Sequence, residues 1–107
     1  MDTELCMEAL AALGQETRFQ TFRLLVESGQ EGLPAAALAK SIKINTNSLA
    51  GHLAVLRKCR LVRRRRESRS VLYYADLDTI RRLILAMVWD TCRGDLKLRS
   101  TLVAGLE

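Results

Sequence analysis

The stretch from Asn45 to Tyr74 limits the possible folds more than any other part of this chain. Asn45 is a good N-cap, because its side-chain oxygen can accept a bond from the free N–H groups of a first helical turn. Leu49, Leu53 and Leu56 follow at i, i+4 and i+7, the spacing that lines one face of a helix with apolar groups. The helix spans 45–58, and directly after it the hydrophobic period drops from 3.6 to 2. Leu61 and Val62 lead into Arg63-Arg64-Arg65-Arg66, then Glu67-Ser68-Arg69, then Val71-Leu72-Tyr73-Tyr74. This pattern predicts a β-hairpin over 61–75, turning at Glu67-Ser68-Arg69.

The rest of the chain reads as helices. Leu5, Ala9, Ala12 and Leu13 share one face of a first helix that ends at Gly14. A second begins near Gln15 with Phe19, Phe22, Leu25 and Val26 on one stripe, and Gly29 and Gly32 bracket a surface loop. Pro34 suits the first position of a third helix, Ala35 to Ser41, since its missing N–H has no partner there anyway. A tight turn, Ile42-Lys43-Ile44, precedes Asn45. Asp76 caps a last helix from Leu77 to Cys92, broken at Gly94. Residues 1–94 form one domain, and 95–107 are a tail, irregular or a short helix. The fold class expected is mainly α with a small β-hairpin, in the order α1-α2-α3-α4-β-β-α5.

The last helix contains Leu83-Ile84-Leu85-Ala86-Met87-Val88-Trp89, apolar on every side. A helix that covers only its own core needs one apolar stripe. Burial on two sides is met most simply by a second copy of the chain. The first helix has the same excess, so Leu5, Leu10, Leu85, Met87, Val88 and Trp89 are the expected contacts of a homodimer.

Charge separates the function classes. The net charge is +5 in 107 residues, but residues 57–70 hold eight bases against Glu67 alone. So concentrated a basic stripe is the electrostatic footprint of a nucleic-acid surface. No run approaches the roughly 18 apolar residues of a membrane span, and Met1-Asp2-Thr3-Glu4 has no signal-peptide pattern, so a cytoplasmic protein is expected. Cys6, Cys59 and Cys92 are scattered, which argues against a disulfide framework or a zinc knuckle. An enzyme is not expected, because the single histidine, His52, sits on the basic helix rather than beside a thiol in a cleft.

With Leu49, Leu53 and Leu56 facing the core, Thr46, Asn47, Ala50, Gly51, Ala54 and Arg57 face outward. Small residues at 50, 51 and 54 let a backbone approach double-stranded DNA closely. Thr46, Asn47 and Ser48 at the helix start are the groups that reach base edges or phosphates first. His52 lies at the edge of the core face, either a packed structural histidine or a phosphate contact. In the hairpin, Arg64 and Arg66 share one face and Arg63 and Arg65 the other, with Arg69 at the tip. Of Tyr73 and Tyr74, which point to opposite faces, one packs on the core and the other is free to bond phosphate.

These segments resemble the ArsR/SmtB family of bacterial winged-helix repressors. Ala12-Leu13-Gly14-Gln15-Glu16-Thr17-Arg18-Phe19 with Phe22-Arg23-Leu24-Leu25 is similar to that family's opening. Ser48 to Leu56 is similar to its recognition helix, and Leu61 to Arg69 followed by Tyr73 to its wing, in register over about residues 9–92. The resemblance implies a winged helix-turn-helix homodimer joined through its first and last helices. It also implies a palindromic operator and release by an inducer. Asn47 stands where the family often has proline, Arg60 where glycine usually ends the recognition helix, and Ser68 where glycine turns the wing.

The resemblance implies an inducer site at one of several places in the fold. Its third-helix cysteine pair is replaced here by Pro34-Ala35-Ala36-Ala37. Its last-helix zinc site finds only Asp76, Asp78 and Asp90, with no histidine. Its adjacent cysteines at the end of the last helix are represented by Cys92 followed by Arg93. Cys92, with Cys6 or Cys59 as further thiols, is therefore the candidate sensor. It would bind As(III) or Sb(III), since soft cations choose thiolates, or act as a redox thiol activated by Arg93. An inert interface cysteine, in a regulator or architectural protein without an inducer, is the alternative reading.

Overall fold

The computed structural model describes residues 1–91 and 95–106. Its helices are α1 (Thr3–Leu13), α2 (Glu16–Ser28), α3 (Ala35–Ile42), α4 (Thr46–Lys58), α5 (Leu77–Thr91) and α6 (Leu96–Leu106). A two-stranded antiparallel sheet, β1 (Val62–Glu67) and β2 (Ser70–Ala75), stands between α4 and α5. Side chains fix the helix starts: Asp2 accepts the N–H of Leu5 at 2.8 Å, Gln15 that of Arg18 at 2.8 Å, and Asn45 that of Ser48 at 2.7 Å.

The core is built around α4. Leu49, Leu53 and Leu56 are buried in one cluster with Ala9 and Ala12 of α1, Leu25 of α2, Leu38 of α3, Leu61 and Val62 at the root of the hairpin, and Leu83 of α5. Fully burying a leucine contributes about 1.5–3 kcal/mol, so this cluster is what seats α4 against the body. Two expectations need adjustment. The buried arc of α2 is Thr21, Phe22 and Leu25, while Phe19 and Val26 flank it in the open. Thr21 can be buried because its hydroxyl donates to the Thr17 carbonyl at 2.7 Å, and the Arg23 guanidinium lies 6.0 Å from the centre of the Phe19 ring. Pro34 is the extended residue just before α3 rather than its first residue.

Three side-chain-bearing residues take the left-handed conformation usually left to glycine: Lys43 (φ 67°), Arg60 (φ 66°) and Ser68 (φ 56°). Arg60 completes a Schellman turn at the end of α4. Its N–H donates to the Arg57 carbonyl, and the Leu61 N–H reaches back to the Leu56 carbonyl, each at 3.0 Å. Ser68 opens the two-residue turn between Glu67 and Ser70, which are paired across the strands. At both positions the chain keeps the bend while replacing glycine.

The hairpin is held to the body on two sides. On the free edge of β2, Leu33 and Tyr73 exchange both backbone hydrogen bonds at 2.9 Å, so the segment before α3 becomes a one-residue third strand. Gly32 permits this approach. A Cβ there would lie 2.5 Å from the Tyr73 carbonyl oxygen, and its φ of 73° also disfavours a side chain. On the other side, Arg63 of β1 donates to Asp76 at 2.6 Å, while the second Asp76 oxygen accepts the N–H groups of Asp78 and Thr79 at 3.1 and 3.3 Å. Partial burial pushes the Asp76 carboxyl up, but the bond to Arg63, the Thr79 N–H and the Arg63 charge outweigh it. They hold the group below its ordinary range.

The tail after residue 94 is a helix. Asp95 caps it by accepting the Leu98 N–H at 2.9 Å, and α6 packs on α5, with Arg99 4.4 Å from the centre of the Trp89 ring. Leu96, Leu98 and Leu102 stay exposed, as do Met7 and Leu10 of α1 and Ile84 and Met87 of α5.

Gly32→Ala is expected to cost roughly 2 kcal/mol or more in a urea titration, since backbone must move to admit the Cβ. Asp76→Asn keeps a capping oxygen but loses the ion pair. A depressed folded-state pKa contributes stability that is present above the unfolded value of about 3.9 and lost as pH falls through the folded one. The stability gap between wild type and Asp76→Asn should therefore be full at neutral pH and close below about pH 4.

Candidate nucleic-acid interface

α4 shows its outer face to solvent over its whole length. Thr46, Asn47, Ser48, Ala50, Gly51 and Ala54 are exposed, and a Cβ added at Gly51 would meet nothing within 4 Å. Glycine inside a helix costs about 1 kcal/mol relative to alanine. No packing among the described residues calls for it at this place. His52 is half-buried, with its Nδ1 3.4 Å from Nη1 of Arg18. Since arginine only donates, Nδ1 is the acceptor there. Arg18 also donates from Nε to the Ala12 carbonyl at 2.7 Å, so it ties the end of α1 to the side of α4. His52 is thus placed structurally, at the rim of the exposed face.

The hairpin arginines fall into two sets. Arg63 is committed to Asp76. Arg65 is committed more heavily: it donates to the carbonyls of Gln30 and Glu31 at 2.7 and 2.8 Å, pairs with Glu67 at 3.3 Å and lies 5.3 Å from the centre of the Tyr74 ring. Arg65 straps the strand to the turn before α3. Arg64, Arg66 and Arg69, by contrast, are exposed, and their side chains make no hydrogen bond or ion pair among the described residues. Tyr73 is the inward tyrosine, packed against the core cluster, and Tyr74 is the outward one beneath Arg65.

Cys6 and Cys59 are free thiols. Cys6 is buried in the protomer's own core rather than displayed on the outer side of α1, and Cys59 is buried at the end of α4. Burial pushes the Cys59 thiol up, against the backbone hydrogen bonds that lower it, so it stays protonated and packs like a small apolar group. Its Sγ donates to the Leu56 carbonyl at 3.4 Å. Cys92 lies outside the described residues. Among the described residues no three of His, Cys, Asp and Glu come together as a metal site, and no helix is long and apolar enough to cross a membrane.

Some residues of interest carry no sequence signal. The exposure of Leu96, Leu98 and Leu102 follows from α6 lying on α5, and Arg60 is placed by a backbone turn that its residue type does not announce.

No family model matches the chain, and no curated protein matches it by sequence. Solved structures do match. An ArsR-like transcriptional regulator from Rhodococcus sp. RHA1 superposes with a TM-score of 0.77 at 23% identity, over 92% of this chain and 90% of that one. The homodimeric winged helix-turn-helix DNA-binding domain of a possible ArsR-family regulator from Mycobacterium bovis gives 0.65 at 24%, over 84% and 82%. A MepR mutant of S. aureus bound to an oligodeoxyribonucleotide gives 0.56 at 18%, over 96% and 85%. Among the described residues this chain has six α-helices and a hairpin between the fourth and fifth. The chain has the winged helix-turn-helix fold found in ArsR-family transcriptional regulators.

Proposed function

We propose that this chain is a homodimeric, DNA-binding transcriptional regulator of the ArsR type, a repressor at a palindromic operator. The observation that carries the reading is the division among the hairpin arginines. Arg63 and Arg65 fix the wing to the body, leaving Arg64, Arg66 and Arg69 as cations without a partner among the described residues. They stand beside an α4 whose outer face is free of bulky groups from Thr46 to Ala54. In this reading α4 enters the major groove, where Thr46, Asn47 and Ser48 meet base edges and Ala50 and Gly51 allow close approach. The free arginines and Arg57 hold flanking phosphates, and Arg69 at the tip reaches the minor groove. Tyr73 pairs with Arg64 across the strands and shares its face, and His52 lies at the rim of the α4 surface.

Dimerisation follows from what the protomer leaves uncovered. Leu10, Met87 and Trp89 are exposed and Leu5, Leu85 and Val88 half-buried, and α6, packed on α5, exposes Leu96, Leu98 and Leu102. A second copy joined there presents two α4 helices related by a dyad, which matches a palindrome. The Mycobacterium bovis domain is homodimeric and the S. aureus protein binds an oligodeoxyribonucleotide, which supports both halves of the reading.

The inducer part of the reading rests on Cys92, because the burial and raised pKa of Cys59 make it a poor nucleophile and metalloid ligand. A thiol-reactive inducer, arsenite, antimonite or an oxidant, acts there and weakens operator binding. Wild type is expected to release duplex on adding arsenite or a mild oxidant, with recovery in excess thiol, whereas Cys92→Ser stays bound. Equal release from both proteins would remove Cys92 from the account, and no release from either would leave a regulator without such an inducer.

The DNA-binding claim is tested by affinity against salt concentration. Arg64→Ala and Arg66→Ala should each weaken binding to every duplex and reduce the magnitude of the log–log salt slope by about 1. Asn47→Ala should change base preference and leave the slope alone. An unchanged slope in both arginine variants would detach the wing from DNA.

A further inference from the structure

A second basic feature lies away from the helix start that reads bases. Between the last turn of α4 and the root of β1 there is an open cleft of about 350 Å³, lined by Arg57, Arg60, Val62, Arg63, Arg64 and Tyr74. At 1.5 Å per residue, Arg57 is about 15 Å along the helix from Asn47. Four guanidinium groups line this cleft, and the ion-pair partner among the described residues is Asp76, already bonded to Arg63. Arg57, Arg60 and Arg64 make no ion pair with a described carboxylate.

The fold does not ask for this charge. Arg60 sits at φ 66°, where glycine is the cheapest residue, and its exposed side chain makes no hydrogen bond to any described group. On its other flank Arg60 borders a small cleft with Asp2, the cap of α1, and with Glu4 and Glu8 of α1, yet Arg60 forms no ion pair within 4.0 Å with these described carboxylates. The arginine therefore adds like charge to a crowded place and takes a strained backbone to do so. The three free guanidinium groups stand on backbone fixed by a helix, a hydrogen-bonded turn and a strand. A planar guanidinium fork matches phosphate oxygens two at a time.

We propose that this cleft is a binding site for a phosphate-class anion, held by Arg57, Arg60 and Arg64 over a floor of Val62 and Tyr74. The phosphate can come from a phosphorylated small molecule or from a DNA backbone. For Arg57 and Arg64 the proposal rests on the reading that sets them on flanking phosphates and adds Arg60 to them; titration of the free protein keeps its failure distinguishable from a failure of DNA binding.

The experiment is calorimetric titration of the full chain with inorganic pyrophosphate at constant ionic strength. Wild type should bind saturably, with one site per chain. Arg60→Gly should weaken binding at least fivefold without lowering the thermal midpoint, because glycine suits the turn, and Arg57→Gln should weaken it similarly. Arg81→Gln removes one charge from the surface of α5 and should change affinity less than twofold. Absence of saturable binding would overturn the proposal, and so would an equal loss in Arg81→Gln, which would reduce the effect to net charge. A duplex arm then identifies the source. Competition between pyrophosphate and duplex assigns the cleft to a backbone phosphate, and simultaneous binding assigns it to a small phosphorylated ligand.

Discussion

The reciprocal pair of hydrogen bonds between Leu33 and Tyr73 decides where the hairpin points. A two-stranded hairpin is marginal by itself in water, so its direction has to come from the body it leans on. Here the backbone before α3 joins the edge of β2 at 2.9 Å in both directions. Gly32 is bare, so the two chains can meet. Arg65 then reaches across to the carbonyls of Gln30 and Glu31 and covers Tyr74. With this edge fixed, the angle between the hairpin and α4 is set, and the exposed groups of both elements belong to one surface.

The same economy runs through the basic run of residues 63–66. Four consecutive arginines look equivalent in the sequence, but the two-residue period of a strand sends them alternately to opposite faces. On one face Arg63 meets Asp76 and Arg65 meets the turn before α3. On the other, Arg64 and Arg66 find no protein partner among the described residues. One set costs little to order because it completes the fold, and the other keeps its charge available. The Arg63–Asp76 bond also reaches the first turn of α5, so the root of the wing and the start of that helix share a carboxylate.

Much of this was legible from residues alone. Helix starts were marked by Asn45 and Asp76, the seat of α4 by Leu49, Leu53 and Leu56, and the hairpin by the change of period after Lys58. These signals are local, and each has one physical reading. The parts that were not legible depend on tertiary contact. Nothing in the spelling of the chain separates Arg65 from Arg66, because the separation arises from carbonyls 34 and 35 residues away. Phe19 fits the helical period of α2 yet stays outside the core, since the neighbouring helices cover only the arc of Thr21, Phe22 and Leu25. Cys6, a candidate further thiol in the sequence, is buried in the core. Arg60 and Ser68 look like departures from a glycine pattern, but they take the left-handed backbone that glycine would have supplied.

The central claim is that α4 and the wing form one DNA-reading unit, presented twice by a dimer. Hydroxyl-radical footprinting of the protein on its own upstream duplex tests it most directly. The account predicts two protected patches related by a dyad, centred about one helical turn, roughly 34–36 Å, or a small multiple of it apart, each with an outer extension from the wing. A single patch, or uniform protection without a dyad, would contradict it.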